Sequence, residues 1–189
     1  MMTGSAQYDD VADFRKESDE VYYTRNPLCA LRQDVIDFLK RRALENERKR
    51  CRLCTHANVE DPFQEMLVVH HRDSCFMPHR YRGRTQSFKV LEGAADVVLF
   101  GESGEITHVF SAGGDGGALY FRIPAVYYAF LVQTEWFIFI EAAAEAFDRS
   151  RVDWAKWAAS ERDVPAAREY RRRLSERAQR FSSGQPEKA

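Results

Sequence analysis

Asp73–Gly93 reads DSCFMPHRYRGRTQSFKVLEG. His79 and Tyr81 stand two apart, so on one strand their side chains share a face. In a closed sheet that face is the interior, where a small ligand is held. Gln86 enters from the next strand, which continues through SFKVLEG to Gly93.

The pattern extends in both directions. MLVVHH, SFKVLEG, ADVVLFG, ITHVFSA, ALYFRI, VYYAFLVQ and WFIFIEA, between Cys51 and Glu141, are short and rich in β-branched and aromatic residues. GESG (Gly101–Gly104) and GGDGG (Gly113–Gly117) mark turns between them. No Lys-Ser/Thr follows GGDGG, which reads as a hairpin turn and not a phosphate loop. Gln133, Thr134 and Glu135 interrupt the apolar run Tyr127–Ile140 and are expected to turn the chain between two strands. Many short strands at regular spacing argue for a sandwich or barrel.

Helices flank this region. Leu31, Val35, Ile36, Phe38, Leu39 and Leu44 recur at helical spacing from Leu31 to Arg48. The basic ENERKRCRLC that follows reads as a solvated helix end. Asp153–Ala159 is a short Trp-bearing segment, and Val164–Phe181 is a charged helix with a narrow apolar stripe at Ala167, Tyr170, Leu174 and Ala178. The expected organisation is a polar lead-in over 1–20, a barrel domain over 21–160, a helix over 161–182 and a disordered tail over 183–189.

Composition excludes several classes. The 189 residues hold 28 Lys+Arg against 29 Asp+Glu, a formal net charge of -1. A near-neutral chain gives no electrostatic footprint for nucleic acid. No apolar run is long enough to cross a bilayer, so no membrane partner is expected. The polar, acidic MMTGSAQYDD has no signal-peptide pattern. Together with four cysteines read as free thiols (Cys29, Cys51, Cys54 and Cys75), this points to the cytoplasm.

Asp73–Gly93 resembles the first signature of the cupin superfamily: Gly, five residues, His-x-His, three or four residues, Glu, six residues, Gly. Asp73 stands at the first Gly position, then come His79, Tyr81 at the second His, Gln86 at the Glu, and Gly93. The spacing matches throughout, and three of the five signature residues differ. VLEGAADVVLF resembles the cupin phrase for the hairpin after this motif. The second signature ends in a His shortly after Pro-x-Gly. In RIPAVYYAFL, counting from Pro124, that position falls on Ala129, or on Tyr128 with a one-residue deletion. The order of ENERKR, RLCTH, QEMLVV, QSFKVLEGAADVVLF and FIEAAAEAFDRSRVDWAKWA, over about residues 20 to 160, is similar to WbuC-type cupins found near polysaccharide-biosynthesis genes. The resemblance implies an all-β core, a cupin (double-stranded β-helix, jelly-roll) barrel with N-terminal and C-terminal helices, and a homodimer. The exposed VYYTRN could then add a strand to a neighbour's sheet.

Cupin metal sites converge two His, a Glu and a later His on iron, manganese, nickel or zinc. By the resemblance only His79 survives here as a ligand. Tyr81 would have to bind as phenolate, and Gln86 is neutral. His70, His71 or His56 could fill a gap, but His70 and His71 are adjacent and only one can face inward. No cofactor is therefore expected, with a divalent metal on an unusual His/Tyr set as the alternative. Metal-free epimerases and ketoisomerases of cupin fold use His and Tyr at a sugar. On that model His79 is the acid/base, Tyr81 or Tyr128 stands opposite, and Gln86 and Tyr127 contact the ligand. Arg82, Arg84 or Arg122 holds a phosphate or carboxylate. The non-catalytic alternative is a barrel that binds a small molecule unchanged or serves as a scaffold. Cys51-x2-Cys54-x-His56 has some zinc character, but on a strand Cys51 and Cys54 face opposite ways, so ordinary thiols are expected.

Overall fold

The computed structural model describes residues 14–26 and 29–184. The calls on 1–13 and 185–189 lie outside them. In chain order the elements are β1 (Phe14–Lys16), β2 (Val21–Thr24), α1 (Gln33–Glu45), β3 (Arg50–Cys54), β4 (Phe63–His71), β5 (His79–Tyr81), β6 (Gln86–Phe100), β7 (Ile106–Gly113), β8 (Tyr120–Ile123), β9 (Tyr127–Ala144), β10 (Val152–Trp154) and α2 (Val164–Ser182). The core is all-β, with one helix before it and one after it.

Two long strands make the barrel. β9 pairs antiparallel with β4 through its second half and with β5 at Tyr128, while β6 pairs with β9, β7 and β8. Each long strand thus serves both walls. Gln133–Glu135 were expected to turn the chain between two strands, and they do not: β9 runs through them. β6 likewise crosses LEGA as one strand, with register shifts between Val90 and Glu92 and between Gly93 and Ala95. These bulges bend both strands together. A bend absorbed by bulges needs only a few polar residues, and a hairpin turn leaves much the same sequence trace.

Alternation decides what each face meets. Phe137 and Phe139 point inward with Phe88, Phe121, Phe130, Tyr128 and Val97. Ile138 points outward to α1, which presents Val35, Leu39 and Ala43 to Cys51, Leu53, Leu67 and Val69. On the other wall Val98, Phe100, Ala129 and Leu131 are covered by Leu174 and Ala178 of α2. Both faces are dry, which is why WFIFI and AFLV read as continuous apolar runs.

The helix ends have local causes. α1 stops at Glu45, short of the expected Arg48, because the Asn46 side chain donates to the carbonyls of Arg42 and Arg50. That ties the helix end to β3. Asp163 caps α2 by accepting from the Ala166 N–H, and Pro165 stands in its first turn.

Four expectations change. VYYTRN is not free for a neighbour: Val21–Thr24 pairs parallel with β3 of the same chain, and Tyr22 and Tyr23 are buried. Within the expected lead-in, Phe14–Lys16 forms an antiparallel pair with β2. The segment after Ala142 does not turn helical at once. It continues as strand to Ala144 and returns as β10, which pairs with β5 through Trp154↔His79. GGDGG turns the chain, with positive φ at Gly113, Gly114 and Gly116, but it does not close the expected hairpin: β7 and β8 each pair with β6 and not with each other.

Candidate functional site

β5 holds His79 between two neighbours, opposite Tyr128 of β9 and Trp154 of β10. Its ring lies 4.9 Å from Phe76, 5.0 Å from Tyr128 and 4.8 Å from Trp154, centroid to centroid. Nδ1 is 3.0 Å from the Met77 carbonyl oxygen. A carbonyl only accepts, so Nδ1 carries the hydrogen and Nε2 keeps its lone pair. Nε2 has no partner among the described residues and is not sealed from solvent. Burial pushes the imidazole pKa down, against the opposing pull of the Met77 carbonyl. The ring is neutral at neutral pH and offers a base at Nε2.

From Tyr128 a polar chain runs along the barrel wall. The Tyr128 hydroxyl donates to Gln86 Oε1 at 3.3 Å, and Gln86 Nε2 donates to Glu141 Oε1 at 2.6 Å. Tyr128 is 1% exposed, and burial holds its hydroxyl well above the ordinary phenol pKa. It stays protonated and serves as a donor. Glu141 is raised as well, first by burial, against the Gln86 hydrogen bond and the charges of Arg52 and Arg84. Arg84 is buried with its guanidinium 4.9 Å from the centre of the Tyr81 ring.

Glu141 was not among the expected site residues. Its signal lies in WFIFIEAAA: with Phe137 and Phe139 inward, period-two alternation puts position 141 inward too. A carboxylate at the end of a buried apolar run is a functional signal.

The structure brings His79, Tyr128 and Gln86 into one contiguous chain. Tyr81 is buried elsewhere: it packs on Phe147, and its hydroxyl accepts from the Asp148 N–H. Three further expectations are corrected, Arg122 and Tyr127 by strand alternation and Arg82 by its place in the turn after β5. Arg122, between buried Phe121 and Ile123, is exposed on the outer face. Tyr127 faces out toward α2, donating to Asp153 at 3.1 Å beneath the Arg80 guanidinium. Arg82 is exposed and bonds the Ser150 carbonyl.

Of the adjacent pair, His70 faces inward and His71 outward. His70 is 2% exposed, bonded to Ser74, stacked on Phe139 and near Phe76. Burial lowers its pKa to about 3. His71 packs edge-on against Trp136. The donor set does not fit a divalent ion. Tyr81 is engaged elsewhere, Tyr128 is held as phenol, and His70 is occupied by Ser74. Among the described residues no cluster of three His, Cys, Asp or Glu suits a metal. Cys51 sits in the α1 cluster with its thiol pushed up to about 12 by burial, and Cys54 is raised for the same reason. His56 meets the Tyr23 ring and the Glu65 backbone. These groups do not form a zinc knuckle.

Phenyl rings fill the barrel behind this chain. Phe76, Phe88, Phe121, Phe130 and Phe139 contact one another and Tyr128 at 4.8–6.2 Å. Two cavities, of about 430 and 300 Å³, lie along α2 outside the barrel, near Asp96 and Ser111 and near Gln133 and Arg171. Neither cavity is lined by His79, Tyr128, Gln86 or Glu141.

A domain of unknown function, DUF6016, matches residues 31–111, less than half of the chain. No curated protein matches. Solved structures similar to it include a Shewanella oneidensis protein (11% identity, 49% of this chain and 61% of that one, TM-score 0.44). The cupin domain of Schizosaccharomyces pombe Cnp3 is similar at 17% identity, over 53% and 63%, with TM-score 0.41. Pac13 of Streptomyces, a nucleoside dehydratase, is similar at 15% identity, over 62% and 87%, with TM-score 0.45. The chain spans less than two thirds of the length of the first two. These likenesses concern the fold and carry no argument about ligand or chemistry.

Proposed function

We propose that this protein binds a small polar ligand at the barrel mouth and moves a proton on it without a metal. His79 Nε2 is the base, and the acid is the Tyr128 hydroxyl, whose one hydrogen is held by Gln86 in this structure and must turn from it to the ligand. The observation that carries this reading is the fixed tautomer of His79: Nδ1 is tied to the Met77 carbonyl, so the free lone pair is on Nε2. A neutral imidazole beside a protonated phenol is the acid/base pairing that isomerase or epimerase chemistry requires. The likeness to WbuC-type cupins suggests a sugar-derived ligand and a role in polysaccharide biosynthesis. The same reading places the protein in the cytoplasm as a homodimer.

The test is solvent-deuterium exchange. Chelator-treated protein is incubated in D2O with free hexoses, hexose phosphates and nucleoside-diphosphate sugars, and NMR follows loss of carbon-bound proton signals. Exchange that survives chelation and vanishes in His79→Ala supports the proposal. Exchange at an unchanged rate in His79→Ala overturns it.

The packed interior favours a second reading, a binding module that holds its ligand at the mouth and leaves it unchanged. Saturable binding of a panel compound, with no exchange and no product, would establish that reading instead.

A further inference from the structure

The arginines of this protein divide into two groups. Arg48 and Arg50 pair with Glu20 and Glu161, Arg80 with Asp153 and Glu102, and Arg151 with Glu145. Arg84 has no carboxylate partner among the described residues, although it is only 6% exposed. Its Nε is shut off from solvent and bonded to nothing described. A buried guanidinium normally has its donors satisfied, because a desolvated, unpartnered N–H is costly. Tyr81 gives it a ring face and no acceptor.

A second unpaired arginine stands near. Arg52 lies on β3 one residue from Cys51 and Leu53, which face α1, so its side chain leaves from the opposite, barrel-side face. It is exposed and makes no ion pair among the described residues. Arg52 pairs with Val68, which lies in the barrel interior, and both arginines act electrostatically on the Glu141 carboxyl. Oε1 of Glu141 is taken by Gln86, and among the described residues no ion pair joins this carboxyl to Arg52 or Arg84. The carboxyl therefore does not neutralise either arginine by a direct pair.

We propose that Arg84, assisted by Arg52, forms an oxyanion subsite at the barrel mouth, so that the ligand carries a phosphoryl or carboxylate group. The fork of a guanidinium suits a bidentate contact to either group. This deepens the reading of the mouth as a ligand site and does not depend on proton transfer by His79. Burial raises the Glu141 pKa, against the Gln86 hydrogen bond and the charges of the two arginines.

The experiment uses the full chain, with inorganic phosphate and acetate as separate probes at constant ionic strength set by chloride. Thermal shift and Trp fluorescence report binding, Trp154 being part of the mouth beside His79. Saturable binding of one probe is expected, phosphate identifying a phosphoryl ligand and acetate a carboxylate. Arg84→Met should weaken it at least about 10-fold, the loss of a bidentate charge-assisted contact. Because Arg84 is buried and its loss can disturb folding, Arg52→Met is the second variant; a weakening of about 3-fold or more is expected from a contributing exposed charge. Arg122→Met, on the outer face, should bind as wild type. Binding no stronger than chloride, or binding unchanged in both Arg84→Met and Arg52→Met, overturns the subsite. Loss of deuterium exchange with phosphate binding intact would instead count only against the acid/base step.

Discussion

Gln86 stands 2.6 Å from Glu141 through Nε2 and accepts the Tyr128 hydroxyl through Oε1. One amide thus uses both ends to hold a phenol and a carboxyl from the same strand, and each partner fixes the flip of the other. An apolar isostere cannot do this. Gln86→Leu leaves the Tyr128 hydroxyl and the Glu141 carboxyl without their partner inside the wall. The expected loss is about 3 kcal/mol, from two unsatisfied groups at about 1–3 kcal/mol each with some relaxation. Urea unfolding of wild type and variant measures it; a loss under about 0.5 kcal/mol, within ordinary surface-substitution scatter, would mean the chain carries no structural weight.

Glu141 gives stability a definite pH dependence. Its folded pKa is raised, mainly by burial, so the unfolded carboxyl releases its proton first. Its contribution is fully present below the ordinary value of 4.5 and is lost as pH rises through the raised folded pKa. Glu141→Gln cannot ionise. The variant should therefore gain stability relative to wild type as pH rises through that window, with the gap constant above it. A stability difference flat across the whole range would show that Glu141 titrates as an exposed carboxyl does.

His70 works in the opposite sense. Burial beside Phe139, with Arg50 nearby, holds the imidazole neutral down to about 3. The unfolded chain takes up a proton below 6.5, the folded chain does not, and stability is lost as pH falls between those values. The displacement from 6.5 to about 3 corresponds to on the order of 5 kcal/mol at full extent. His70→Gln keeps a donor and acceptor for Ser74 and removes the titration. It should be the less stable protein near neutrality and close the gap as acid is added. Parallel stability curves for the two proteins from neutrality to about pH 4 would contradict this.

Much of the fold was legible because barrel walls obey a strict period of two. The Tyr127–Ile140 run and the VLEGAADVVLF phrase could be placed on strands from residue type alone, and α2 was readable from Val164 onward. The bends were not legible. Gln133–Glu135 opposite Leu91–Ala94 carry the polar and glycine residues of a turn, and only pairing distinguishes a bulged bend from a hairpin. In the candidate site, spacing placed His79 on a strand, and β5 holds it opposite Tyr128. Tyr127 and Arg122 were named from residue type without fixing the parity of their strands, and one residue of slip exchanges inside for outside. Glu141 was missed although parity with Phe137 and Phe139 exposes it. The unpaired state of Arg84 depends on distances to every acid in the chain, which no local pattern contains.

The bend itself can be tested at Gly93. Its φ is +80°, in the left-handed region, and a Cβ there would stand 1.8 Å from the Trp136 carbonyl oxygen and 2.6 Å from Thr134 Oγ1. The carbonyl belongs to β9 at the matching bend, so the clash is with backbone and cannot be relieved by a rotamer. Strain of this kind costs about 1–3 kcal/mol before the steric overlap is counted. Gly93→Ala should therefore lose at least about 3 kcal/mol or fail to accumulate as folded protein. Gly116→Ala is the control: its φ is also +80°, but nothing lies within 4 Å of the added carbon. It should lose only the conformational share, about 1–2 kcal/mol, and keep a native circular dichroism spectrum. Equal losses in the two variants would show that the close approach of β6 and β9 at Gly93 is not what holds the bend.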